Sequence, residues 1–404
     1  MSLVANRLKA IKPSPTLAVS AKAARLKAEG KDVIAMGAGE PDFDTPQFIK
    51  EAAKVAIDKG QTKYTAAGGT PSLKKAIVAK FKRENGLDYT EKQILVSCGG
   101  KQTSFNLCLA LLNPGDEAII PAPFWVSYPD MAMMADAKPV FIHAGIEQGF
   151  KITPVQLKNA ITPKTRLLWL NSPSNPTGAV YSAAELKALG EVLKQHPRIV
   201  IATDDMYEHI LLDNSKFVNI LNVCPDLYGQ TLTMNGVSKA YSMTGWRIGY
   251  CGGPQELIEA MENVQSHSTS NPATISQYAA EAALTGDQSC ITPMVTAFRE
   301  RAKVITEGLN RIPGVHCLMP AGAFYAFPDC RQAIRNLHEA GKLAAPTDLA
   351  LCDYLLAQPQ AVAAVPGSAF GAEGYLRISF ATSMDNIQKA VQRMAAAMAE
   401  RVPA

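Results

Sequence analysis

Gly236-Val-Ser-Lys-Ala-Tyr-Ser-Met-Thr-Gly-Trp-Arg-Ile-Gly249 holds an amine nucleophile, Lys239, directly after the hydroxyl of Ser238 and eight residues before Arg247, which Gly245 and Gly249 flank. A lysine condenses with an aldehyde only as the free amine, so its site has to be desolvated or close to other positive charge. Arg247 supplies such charge and also suits a phosphate. An amine, a hydroxyl and an arginine among glycines therefore fit an aldehyde cofactor that carries a phosphate, and pyridoxal 5'-phosphate answers that description.

Outward from this stretch, residues 94 to 253 alternate short apolar runs with helical patterns, the pattern of a mostly parallel sheet covered by helices on both faces. Seven strands are expected: Ile94 to Ser97, Glu117 to Ile120, Pro139 to His143, Arg166 to Leu170, Ile199 to Ala202, Thr231 to Met234 and Ile248 to Cys251. Leu186, Leu189 and Leu193 recur at helical spacing and predict a helix over Ala183 to Gln195. An Ala-rich helix is expected over Asp385 to Glu400.

Ligands of open parallel sheets bind beyond the carboxyl ends of the strands. The unusual polar residues all follow expected strands: Gly99-Gly100-Lys101 the first, Trp125 the second, Asn175 the fourth, Asp204 the fifth and Lys239 the sixth. Gly99 and Gly100 open a helix whose free amides suit an anion. Asp204 or Asp205 either caps a helix or meets a buried cation, such as a protonated pyridine nitrogen. Arg377 stands in the apolar run Tyr375-Leu-Arg-Ile-Ser-Phe380, where a planar guanidinium could grip a carboxylate through two parallel hydrogen bonds.

Together these motifs resemble the class I pyridoxal-phosphate aminotransferases, in particular the bacterial aspartate aminotransferase branch, from about Pro13 to the C-terminal helix. The resemblance implies an α/β chain of the pyridoxal-phosphate transferase fold type I, a large domain with a mostly parallel seven-stranded sheet plus a smaller α+β domain. It divides the chain into an N-terminal arm (1–14), a small domain (15–48 and 297–404) and a large cofactor-binding domain (49–296).

By the same resemblance Lys239, Asp204 and Tyr207 are catalytic. Gly99, Gly100, Lys101, Ser238 and Arg247 surround the cofactor phosphate, Trp125 stacks on the ring, and Asn175 and Tyr207 bond its phenolic oxygen. Asp204 is preferred over Asp205 because the family spacing is Asp-x-x-Tyr, which leaves Asp205 to open a helix. Tyr64 reaches the phosphate from a neighbouring subunit, so a homodimer with shared active sites is expected. Arg377 takes the substrate α-carboxylate with Gly39, Trp125 and Asn175 beside it.

The implied reaction is a ping-pong exchange between small amino acids and 2-oxo acids. Gln265-Ser-His-Ser-Thr-Ser-Asn-Pro272 contains no arginine for a distal carboxylate. A lysine at the position of Lys101 takes it in the branch resembled, so aspartate with 2-oxoglutarate is the first expectation. Prephenate or an aromatic amino acid is the alternative, and a β-lyase would share Lys239 and Asp204.

Composition agrees with a soluble enzyme of small molecules. The chain has 404 residues, 47% of them hydrophobic, and a net charge of +4 without long basic runs, which gives no support to nucleic-acid binding. No apolar run approaches a membrane span. A regulator would need a DNA-binding module ahead of Pro13. The eight cysteines form no Cys-x-x-Cys pair and read as buried thiols, and the six histidines show no metal-ligand spacing. A cytoplasmic enzyme without a metal is expected.

Overall fold

The computed structural model describes residues 3–11, 13, 15–357 and 359–398. Its strands are β1 (Ile34–Ala35), β2 (Ile94–Ser97), β3 (Glu117–Ala122), β4 (Lys138–His143), β5 (Thr165–Asn171), β6 (Val200–Asp204), β7 (Thr231–Gly236), β8 (Gly249–Gly252), β9 (Tyr325–Ala326), β10 (Val362–Ala363), β11 (Val365–Pro366) and β12 (Leu376–Ser379). β2 to β8 form one sheet in the order β2-β8-β7-β6-β5-β3-β4. β8 runs against both of its neighbours and the other pairs are parallel. The sheet is thus the mostly parallel seven-stranded one expected.

Side chains of the inner strands are buried on both faces, which is why their sequences read as continuous apolar runs. Alternate residues serve different cores. Ile119, Leu168 and Ile201 join one cluster, while Ala118, Ile120, Leu167, Trp169 and Ala202 join the other. The helix Ala183–Leu193 between β5 and β6 buries Leu186, Leu189 and Leu193 and begins with a Ser182/Glu185 capping box.

A second group of elements draws on both ends of the chain. β1 pairs in parallel with β10, Ile34 opposite Val362, and β12 lies between β11 and β9 in an antiparallel sheet. The helix Pro15–Ala28 packs on β1, β10 and β11. The C-terminal helix runs Met384–Met398; the last two positions expected for it, 399 and 400, lie outside the described residues. Positions 48 and 297 fall inside the helices Gln47–Asp58 and Thr292–Asn310.

Two expectations need correction. Cys98 and Cys290 are only partly buried, while the other six free cysteines are buried. Asp205 opens no helix: residues 206–209 form turns, and the next helix is Ile220–Val223. The Asp205 carboxylate is instead buried, where it accepts from Asn219 Nδ2 at 2.6 Å. Its role as an acceptor in a polar layer removes it from helix capping. Among the described residues no helix is long and apolar enough to cross a membrane.

Candidate active site

At the carboxyl end of β2 the chain turns through Gly99 at φ +85° into the helix Gly100–Leu111. A side chain on Gly99 would run into the Arg247 guanidinium, and one on Gly100 would come within 2.6 Å of Met206 Cε. The positive φ favours glycine at Gly99, and a side chain at either position would displace the end of Arg247 or Met206. Arg247 donates to the carbonyls of Thr244 (2.8 Å) and Cys98 (3.4 Å) and forms no ion pair among the described residues. A helix N-terminus beside an uncompensated guanidinium is an anion site by its electrostatics.

β6 ends on Asp204, whose Oδ2 accepts from the Tyr128 hydroxyl at 2.5 Å. Burial pushes this carboxyl above its ordinary range, against the pull of the Tyr128 hydrogen bond. Three residues on, the buried Tyr207 hydroxyl lies 2.9 Å from that of Tyr325. Burial, then the neighbouring Tyr325, hold the Tyr207 phenol well above its ordinary value. After β7, the Lys239 ammonium donates to the Gly39 carbonyl and stands 5.9 Å from the ring centres of Tyr207 and Phe324. Burial lowers the Lys239 amine to about 8; Glu40 opposes this, and Arg377 and Arg247 reinforce it. Near neutrality the ammonium still predominates, but the share of free amine is far larger than an ordinary lysine offers.

Arg377 comes from the other group of elements, on β12, and is 2% exposed. Nη1 donates to Asn175 Oδ1 (3.0 Å) and Nη2 to the Gly37 carbonyl (2.8 Å), while Nε has no partner. Its guanidinium lies 4.7 Å from the ring centre of Tyr325 and 4.9 Å from that of Phe370. No carboxylate of the described residues pairs with it. A buried cation with an orphaned donor is costly unless an anion arrives to use it.

These groups open on one cleft of about 490 Å³. Gly39, Gly100, Lys101, Trp125, Asn175, Asp204, Tyr207, Ser238, Lys239, Arg247 and Arg377 all line it. Gly99 does not line it but lies against the Arg247 guanidinium, which does. Tyr64 does not line it and is 90% exposed. Lys101 Nζ stands 5.0 Å from the Trp125 ring centre, and burial, with Arg247 adding repulsion, lowers its amine below the ordinary value.

Sequence reasoning missed several lining residues: Thr16, Leu17 and Ser20 on the helix Pro15–Ala28, and Glu40, Met206 and Tyr325. It also missed Tyr128, which holds Asp204. Helical spacing gave no signal for that one, because Trp125 precedes the helix Ser127–Met134 that carries Tyr128. Nothing local marks Tyr325, whose contacts are made across the chain.

A family profile described as aminotransferase class I and II matches residues 31–394. The chain belongs to this family. The aspartate/prephenate aminotransferase of Nitrosomonas europaea is 65% identical over 392 residues, 97% of this chain and 98% of the relative. The aspartate aminotransferase of Rhizobium meliloti (strain 1021) is 51% identical over 97% of this chain and 95% of its own. Solved structures agree. That of the Rhizobium meliloti aspartate aminotransferase superposes with a TM-score of 0.93 at 49% identity, covering all of both chains. That of the Thermus thermophilus enzyme with maleate gives 0.91 at 42%, covering 98% of this chain and 100% of that one. This aminotransferase therefore has the fold type I architecture and the family's enzymatic class.

One group of potential metal ligands occurs among the described residues of the aminotransferase: Glu84, Glu208 and His209. None of the three lines the cleft. The Lys80 ammonium already pairs with Glu208 and stands 3.5 Å from Glu84, so a cation is in place there.

Proposed function

We propose that this aminotransferase exchanges the amino group of aspartate with 2-oxoglutarate, using pyridoxal 5'-phosphate held in the cleft. The observation that carries this reading is the meeting, in one cleft, of the Lys239 amine and the Arg377 guanidinium with its orphaned Nε. The donor set fits the cofactor: an amine that burial keeps partly uncharged, a carboxylate at Asp204 held by a neutral hydroxyl, and an anion site at Gly99, Gly100, Ser238 and Arg247. When bound, the cofactor supplies an electron sink for the negative charge left on the substrate α-carbon.

In this reading Lys239 would hold the cofactor, and its amine, when free, would take and return the substrate α-proton as general base and acid. Such help is typically worth about a hundred to ten thousandfold. Asp204, held by the Tyr128 hydroxyl, would pair with the ring nitrogen and keep it protonated. Asn175 and Tyr207 would hold the phenolic oxygen, Trp125 would pack against the ring, and Lys101 would offer a cation to the distal end of the substrate. Arg377, with Asn175 and Gly39 beside it, binds the α-carboxylate; its planar fork fixes orientation as well as charge.

Lys101 offers the distal carboxylate its cation, which favours aspartate, and the solved structure of the Thermus relative is with maleate, itself a dicarboxylate. Prephenate is a second acceptor favoured by the description of the Nitrosomonas relative and by Leu17, Trp125 and Val126 on the cleft wall. The exposed Tyr64 supports a homodimer with shared sites, and eight free cysteines support a cytoplasmic location. Borohydride treatment of cofactor-saturated protein should fix a pyridoxyl group on Lys239, found by peptide mass mapping. A panel of amino donors with 2-oxoglutarate should then rank aspartate first. An unlabelled Lys239 refutes the mechanism, and an apolar donor at the head of the panel refutes the substrate.

A further inference from the structure

A second polar cluster lies among residues that do not line the cleft, and the proposed chemistry leaves it unused. Lys80 ends the helix Pro71–Lys80 and is fully buried, after which the chain makes one π-turn, Phe81–Asn85. π-turns inside helices occur often at functional sites. This one turns Asn85 and Glu84 back on Lys80, whose ammonium donates to Asn85 Oδ1 at 2.8 Å and stands 3.5 Å from Glu84. Its closest contact is the carboxylate of Glu208.

Glu208 is itself buried, and both of its oxygens are occupied: Oε2 accepts from Asn85 Nδ2 (2.6 Å), and Oε1 from Asn235 Nδ2 (2.8 Å) as well as from Lys80. Burial pushes this carboxyl up, yet Lys80, His209 and Asn85 together bring it below its ordinary range. Other titratable groups near it are Glu84, Asp205, Tyr241 and Tyr250. Both Glu208 oxygens and the Lys80 nitrogen thus have partners.

A buried ion pair contributes little stability over an apolar replacement, so its use lies in the geometry it fixes. The two things fixed are informative. Glu208 directly follows Tyr207 in the loop after β6. Asn235 is near the end of β7, and its Oδ1 accepts from the amide of Gly236, where the turn to Lys239 begins.

We propose that Glu208, clamped by Lys80, is a positioning residue that sets the Tyr207 hydroxyl and the Lys239 amine relative to each other by tying the loop after β6 to the turn after β7. This rests on Lys239 being the reacting amine. The Asn235 amide is the tie on the β7 side. The test uses the holoenzyme of Glu208→Gln and of Asn235→Ser, the second of which leaves the Lys80–Glu208 pair in place. In folded variants kcat should fall about tenfold to a hundredfold, the scale of a small misplacement of reacting groups. KM for aspartate should stay within about threefold, since binding at Arg377 is untouched. The pH midpoint of the bound cofactor's absorbance should move by about half a unit or more. Amide exchange over residues 236–243 should rise about tenfold, in apoprotein and holoenzyme alike.

Folded variants with wild-type kcat and exchange overturn the proposal, as does a loss confined to KM. Failure of both variants to fold also overturns it, because the cluster would then serve the fold alone. Absence of a pyridoxyl group on wild-type Lys239 would sink the transamination reading instead. The exchange measurement on apoprotein would still decide whether the two loops are coupled.

Discussion

At Lys239 the needs of reaction and of stability oppose each other. Burial lowers the amine to about 8 from its ordinary 10.5, so the folded apoprotein disfavours the charge that the unfolded chain carries freely. Below pH 8 both states hold the proton and the penalty is present in full. Between 8 and 10.5 the unfolded chain binds the proton and the folded one does not, so stability rises with pH. Lys239→Met removes the penalty. The variant apoprotein should be more stable than wild type at pH 7 by about 1–3 kcal/mol, a gain that fades toward pH 10.5, while turnover is abolished. Urea denaturation of both apoproteins at the two pH values checks this. A gain independent of pH, or a loss at pH 7, contradicts it.

Strand ends explain why so much of the site was readable at the level of elements. The inner strands are buried on both faces, so they stand out as apolar runs, and the residue after each run then falls where ligands bind. Gly99, Asp204 and Lys239 could be placed in this way. Asp205 could not, because its partner Asn219 lies fourteen residues away beyond an irregular turn. β1 and β9 to β11 are two residues long each and owe their existence to distant partners, so no local pattern announces them. Tyr325 and the π-turn after Lys80 were illegible for the same reason. The β2-to-helix junction offers a test of the element. Gly99→Ala meets both a positive φ and the Arg247 guanidinium, whereas Gly115→Ala, at φ +88°, meets open space. Each should lose about 1–3 kcal/mol to backbone strain. Only Gly99→Ala should also weaken cofactor binding, by about tenfold or more, through displacement of Arg247. Equal cofactor affinities by spectrophotometric titration would show that the glycine serves the turn alone.

Over the whole molecule the cleft is assembled from distant parts of the chain: Lys239 and Asp204 at the large sheet, Arg377 from β12 and Gly39 from the N-terminal segment. The pairing of β1 with β10 ties an early and a late stretch of the chain together, Ile34 opposite Val362. One expected contributor is elsewhere. Tyr64 is an exposed aromatic on a loop that is firmly held: Gln277 bonds Thr65 Oγ1 (3.1 Å) and the Thr70 amide (2.8 Å), and Thr274 bonds the Lys63 carbonyl (2.7 Å). A fixed loop presenting an uncovered ring suits a surface completed by a second copy of the chain. If Tyr64 completes the partner's phosphate site, neither Tyr64→Ala nor Lys239→Ala homodimers should be fully active. Hybrids formed by refolding the two together would each contain one intact site, so an equal mixture should recover about a quarter of wild-type activity. Recovery depends on Lys239 in one subunit and Tyr64 in the other. An equal mixture no more active than the average of the two homodimers would place Tyr64 outside the site.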